Sequence, residues 1–182
     1  MILALAIVPL IHPGPEVPAG VVFSIELKGA SNNIVVISPK DSVVMQLKFA
    51  NRTDHQLAIR IHDSDPYHGK LPFPVDCAVR ITGTGGKLLS PADVNGGWYS
   101  QFLCWSTTFY KDDERNYRLL KPGDELVYEV DLRDVLTYLG PQPEEWPYNP
   151  DKGFRSGDYR FQFRYRDLTS EMFCLAVRSN KP

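Results

Sequence analysis

The chain has 182 residues, 43% hydrophobic and 23% charged, with 15 Pro and 13 Gly, a composition that excludes a low-complexity or disordered chain and suits one domain with a substantial core. Its 20 Lys and Arg against 22 Asp and Glu give a formal charge of −2, so the basic excess of a nucleic-acid binder is missing and no nucleic-acid partner is expected. The 3 Cys, none at Cys-x-x-Cys spacing, exclude a disulfide-scaffolded small domain and a thiolate zinc site.

The first segment, Met1 to Ile11, reads MILALAIVPLI, an apolar run of the length of a signal-peptide core and too short for a bilayer span of about 20 residues. Val17 and Ala19 hold the positions three and one before a cleavage site, which predicts residues 1–19 as a signal peptide and residues 20–182 as a single secreted or periplasmic domain. No membrane span is expected in that mature chain. No Lys or Arg precedes the apolar run, so the terminal amine alone supplies the positive end.

From Val21 the dominant period is two, the period of a half-buried strand, because successive side chains face opposite sides. Phe23, Ile25 and Leu27 alternate with Ser24, Glu26 and Lys28; Val43, Met45, Leu47 and Phe49 alternate with Val44, Gln46, Lys48 and Ala50. Leu57, Ile59 and Ile61 make a third such stretch, and Val75, Cys77, Val79 and Ile81 a fourth, opposed by Asp76, Ala78, Arg80 and Thr82. Ser38-Pro39-Lys40-Asp41 and Asn51-Arg52-Thr53-Asp54 separate them as turns, and Thr82 to Gly86 leads into Lys87-Leu88-Leu89 as a hairpin. Asn51-Arg52-Thr53 also matches the glycosylation sequon.

Trp98 to Tyr110 is aromatic-rich without a clean period. Lys121-Pro122-Gly123-Asp124 is a Pro-Gly turn before Leu126, Tyr128, Val130 and Leu132, which alternate with Glu125, Val127, Glu129 and Asp131. Asp134 to Leu139 is the one helical stretch expected. After Ser156-Gly157-Asp158 comes the clearest alternation, Tyr159, Phe161, Phe163 and Tyr165 against Arg160, Gln162, Arg164 and Arg166. Glu171 to Val177 is an apolar run expected to be buried on both faces. Two stretches, His62 to Pro74 and Gly140 to Gly153, are rich in Pro and polar residues and read as long loops, where binding is sought first.

Short strands with turns every 8 to 12 residues predict an all-β chain, an antiparallel β-sandwich of about 7 to 9 strands. Leu120 to Leu126, with its Pro-Gly turn, and Ser156 to Phe161 resemble the E and F strands of immunoglobulin-like and fibronectin-like domains. That resemblance implies an immunoglobulin-like sandwich in which Tyr159 forms a tyrosine corner, its hydroxyl folding back onto upstream backbone. Phe161 stands where antibody domains place a Cys, so their inter-sheet disulfide has no counterpart at that position. The intracellular proteinase inhibitor and chagasin types of protease inhibitor share the same Pro-Gly and Gly-x-Tyr rhythm, but no inhibitory loop motif is present here.

Four ligand-type residues, His62, Asp63, Asp65 and His68, crowd the first long loop; imidazoles and carboxylates so close can converge on an ion such as zinc. A polar loop leaving a strand, with Asp65-Pro66 opening a turn, explains the same residues without a metal, and no cofactor is expected. Trp98, Tyr99, Trp146 and Tyr148 fall in loops or at loop edges, where exposed rings suit a protein or a glycan partner; rings that cover the open ends of the sandwich are the other reading, and the one favoured for Trp98. Arg160, Arg164 and Arg166 form a basic row that Glu125, Glu129 and Asp131 would complement if the two strands were neighbours. No nucleophile motif, phosphate-cradling glycine loop or His-Glu-x-x-His is present. Cys77 reads as a small buried hydrophobe, and pairs of Cys104 with Cys77 or Cys174 stay open. These observations point to a non-enzymatic binding protein, with a protease-inhibitor-like module and a carbohydrate- or metal-binding module as the alternatives.

Overall fold

The computed structural model describes residues 20–30, 32–60, 77–89, 97–98, 117–138 and 146–179. In chain order the strands are β1 (Val21–Leu27), β2 (Ile34–Ile37), β3 (Val44–Asn51), β4 (Leu57–Arg60), β5 (Cys77–Thr82), β6 (Tyr117–Leu120) and β7 (Glu125–Asp131). A short helix α1 (Leu132–Tyr138) follows, then β8 (Tyr148–Asn149), β9 (Gly153–Phe154), β10 (Gly157–Tyr165), β11 (Leu168–Thr169) and β12 (Phe173–Val177).

Alternation becomes architecture through register. Strands β1, β3 and β7 form one antiparallel sheet in that order, and their pairing sets Phe23, Phe49 and Leu126 in one row, Ile25, Leu47 and Tyr128 in the next, and Leu27, Met45 and Val130 in a third. Residues directly opposite on antiparallel strands share a face, so the three rows make one apolar surface.

In the second sheet β10 is central, paired with β5 on one side and with β11 and β12 on the other, while β2 lies outside β12. Its inner face carries Tyr159, Phe161, Phe163 and Tyr165 beside Val79, Ile81, Phe173, Leu175 and Val177, all buried. The two faces meet where the Tyr165 ring stands edge-on to Phe49, centroids 4.8 Å apart, with Phe23 6.2 Å away. Phe161 stacks on Phe173 at 5.2 Å within the second sheet. Each such ring contributes about 1.5–3 kcal/mol by leaving water. The described residues form an all-β sandwich, two sheets packed face to face over one core.

The pairs are antiparallel except one: β2 runs parallel to β12, with Val35 opposite Leu175 and Ile37 opposite Val177. Glu171 to Val177 departs from expectation, because only Phe173, Leu175 and Val177 are fully covered while Cys174 and Ala176 sit half-buried on the outer face. The hairpin after Thr82 forms through Gly83 N–H to the Lys87 carbonyl (2.8 Å) and Leu89 N–H to the Ile81 carbonyl (2.9 Å).

Helix α1 closes one end of the core with Leu132, Val135 and Leu136. It starts two residues before the expected Asp134 because Asp131 caps it, its Oδ1 accepting the Arg133 N–H at 2.8 Å. Of the stretch expected as a loop to Gly153, the described part begins at Trp146 and is not all loop. There β8 and β9 make a small hairpin, tied to the Ser38–Asp41 turn by the Phe154 N–H donating to the Pro39 carbonyl at 2.7 Å. Gly153 sits at φ +84, and a Cβ there would meet the Pro39 oxygen at 2.3 Å.

Candidate functional site

The outer faces of the two sheets differ electrically. On the first sheet each base has an acid: Lys28 pairs with Glu129, Lys48 and Arg52 both pair with Glu125, and Arg133 pairs with Asp131, each at 2.7 Å. The bond from Lys48 holds the Glu125 carboxyl below its ordinary pKa, and the bond from Lys28 does the same for Glu129. Burial pushes the Asp131 carboxyl up, but the bonds from Arg133 and Ser42 outweigh it and leave it below the ordinary value.

On the second sheet the outward acid among the described residues, Asp158 of β10, is paired with Arg178 at 2.6 Å, and three arginines are left without one. Antiparallel pairing of β10 with β5 sets Arg160 opposite Thr82, Gln162 opposite Arg80, and Arg164 opposite Ala78, all on the face turned away from the core. Among the described residues, none of Arg80, Arg160 and Arg164 has a carboxylate within ion-pair distance. The Arg164 guanidinium lies over the Trp98 ring, 4.8 Å from its centroid, a cation–π contact that fixes the side chain. Burial pushes its pKa down, yet a guanidinium keeps its charge at neutral pH. Next to it, Arg80, Thr82, Arg160, Gln162 and Met172 line a groove of about 210 Å³. Its apolar margin is Met172, 47% exposed, with Ile34 and Val36 exposed farther along the same sheet.

This arrangement corrects the basic row in two ways. Arg166 leaves it, because the chain turns there at φ +53 and its guanidinium lies over the Tyr165 ring at 5.5 Å. Arg80 joins it from β5. Glu125, Glu129 and Asp131 do not neutralise the row, since β7 belongs to the other sheet.

The rings expected to bind are placed differently from one another. Trp146 is 2% exposed and part of the core, so the expectation of an exposed anchor is corrected: both ring faces are covered by protein. Tyr148 is half-buried against Phe154, centroids 4.9 Å apart, and lines a concavity of about 250 Å³ with Lys40, Arg133, Asp151 and Lys152. Trp98 is half-buried and serves Arg164. Tyr99, and the cluster His62, Asp63, Asp65 and His68, lie outside the described residues. Among the described residues no group of three or more His, Cys, Asp or Glu is set to hold a metal, and no helix is long and apolar enough to cross a membrane.

Two further sites are structural. The Tyr159 hydroxyl donates to the Arg155 carbonyl at 3.1 Å, the tyrosine-corner bond that the resemblance implied for this residue. The sequon residue Asn51 is 0% exposed, and its Nδ2, the atom a glycan would need, donates to the carbonyls of His55 (2.8 Å) and Leu120 (3.0 Å).

No protein-family model matches the chain, and no curated protein matches it. Among solved structures it is similar to the ASH/PapD-like domain of human CEP192 (PapD-like domain 7), at 11% identity over 99% of each chain and a TM-score of 0.28.

Proposed function

We propose that this chain is a non-enzymatic protein-interaction module that takes an acidic segment of a partner protein across the outer face of the second sheet. One observation carries it: among the described residues Arg80, Arg160 and Arg164 share that face with no carboxylate at ion-pair distance, its acid Asp158 being paired with Arg178, in a chain whose net charge is −2 and whose other sheet pairs its charges internally. Charges kept unpaired on a flat, rigid surface steer an oppositely charged partner and fix its register. The exposed Met172, Ile34 and Val36 beside them supply apolar contact for the same segment.

The test is fluorescence anisotropy with a labelled Glu-rich peptide of about a dozen residues, against a Lys-rich control. Saturable binding that weakens with salt is expected, and Arg80→Glu with Arg160→Glu and Arg164→Glu should weaken it about tenfold or more. Equal binding by the parent and the triple variant, or no binding at all, overturns the assignment.

We further propose export, supported by the apolar run before Val17 and Ala19 and by β1 starting at Val21, so that cleavage after Ala19 leaves every strand whole. Intact mass from an export-competent host should begin at Gly20; a chain that keeps Met1 overturns it.

A further inference from the structure

Resting on the acidic-partner assignment, we propose that the groove between Arg80 and Arg160 is a phosphoryl subsite, which recognises a phosphorylated Ser or Thr within the partner segment. Register builds the groove. Arg80 is directly opposite Gln162, and Thr82 is directly opposite Arg160, so four same-face side chains form a block about 4.8 Å wide and about 6.8 Å long. Arg80 and Arg160 occupy one diagonal, about 7–8 Å apart at the backbone, within reach of a single group held between them by two long side chains.

The lining fits a tetrahedral anion better than a carboxylate. Two guanidiniums bring two positive charges, and a phosphoryl monoester carries about −1.5 to −2, whereas one carboxylate would leave a guanidinium unmatched. Guanidinium forks bond phosphate oxygens in pairs, and the Thr82 hydroxyl adds a third donor from the side. Gln162 is held by its Nε2 donating to the Ser170 carbonyl at 3.2 Å, so the groove has a fixed wall, and Met172 belongs to the same lining. Among the described residues no acidic side chain lines it.

Arg164 extends the match. It stands four residues from Arg160 on β10, about 13 Å along the strand, and is held in place by Trp98. An extended partner covers that distance in about four residues, so the preferred segment has a phosphorylated residue and an acidic residue four positions apart.

Three labelled peptides of one sequence test this, with phosphoserine, serine or sulfotyrosine at one position and Glu four residues on. The phosphopeptide is expected to bind about tenfold or more tighter than the serine peptide, and inorganic phosphate should displace it. Arg80→Gln with Arg160→Gln should remove that preference and the phosphate competition, while residual affinity through Arg164 persists and the melting temperature stays that of the parent, since both side chains are exposed. Phosphopeptide and serine peptide binding equally to the parent overturns the subsite while leaving the acidic-partner assignment standing. A sulfotyrosine peptide that binds as tightly as the phosphopeptide overturns the charge-matching argument, and no binding by any peptide overturns both assignments.

Discussion

The Tyr159 hydroxyl is bonded to the Arg155 carbonyl four residues upstream, and the ring of Tyr159 is 6% exposed. Tyr159→Phe removes that bond and leaves the carbonyl facing apolar carbon, which should lower stability by about 0.5–3 kcal/mol. Burial also pushes the phenol pKa up. A raised folded-state value means stability is complete below the unfolded value near pH 10 and is lost as pH rises through the folded one. Urea unfolding of parent and variant at neutral and alkaline pH checks both effects. A variant as stable as the parent at pH 7 removes the tyrosine corner as a stabilising element.

Asn51 ties three segments together. Besides its two donated bonds, its Oδ1 accepts the Thr53 N–H at 2.9 Å, and its backbone exchanges bonds with Gly123 and Asp124 in the Pro-Gly turn. Asn51→Ala should cost about 1–3 kcal/mol for the buried carbonyls left unmet. Asn51→Asp should cost more at neutral pH, because a carboxylate would face the His55 and Leu120 carbonyls. Folded protein from a glycosylating host should show no added mass at this residue, and occupancy there contradicts the burial.

Trp146 and Tyr148 stand two residues apart and should respond differently. Truncating the buried indole, Trp146→Ala, should cost about 3–5 kcal/mol through lost packing and the cavity left behind. Tyr148→Ala, at a half-buried position open to a concavity, should cost clearly less. Paired thermal melts decide this, and equal losses would mean that Tyr148 is as much a part of the core as Trp146.

Asp131 links the first sheet to α1, bonding the Arg133 side chain and N–H and the Ser42 hydroxyl. Its carboxyl titrates below the ordinary carboxylate value, so the stability it supplies is present above about pH 4, the unfolded value, and is lost as pH falls through the folded one. Asp131→Asn should flatten the low-pH limb of a stability profile. A limb of unchanged steepness would place acid sensitivity in other carboxylates.

The strands legible in the sequence are those with one wet face, such as Phe23–Leu27, Met45–Phe49 and Tyr159–Tyr165, because only a half-buried strand writes its period as polarity. Ile34 to Ile37 has no polar residue, so β2 carries no alternation although Ile34 and Val36 face water and Ile37 does not. The arginine face was partly legible. The outward set of β10 follows from its period, but Arg80 joins it through a pairing between segments some 80 residues apart, and pairing is a tertiary fact. Arg166 leaves it through one backbone angle that residue type does not announce. Trp146 misled because Pro, Glu and Asn around it mark an irregular chain path, and an irregular path can still deliver a ring to the core.

The contact of Gly153 with Pro39 bears on how this chain tolerates change in length. Segment 147–155 is stitched to 38–41 by the Phe154 to Pro39 bond and closed on itself by the Arg155 N–H donating to the Pro147 carbonyl at 2.9 Å, and the Arg155 carbonyl in turn receives the Tyr159 hydroxyl. One residue inserted or deleted between Pro147 and Arg155 would displace Gly153 from the place where a Cβ would meet the Pro39 oxygen, and would shift the acceptor under Tyr159 as well. For loop grafting, that hairpin is therefore a poor insertion point.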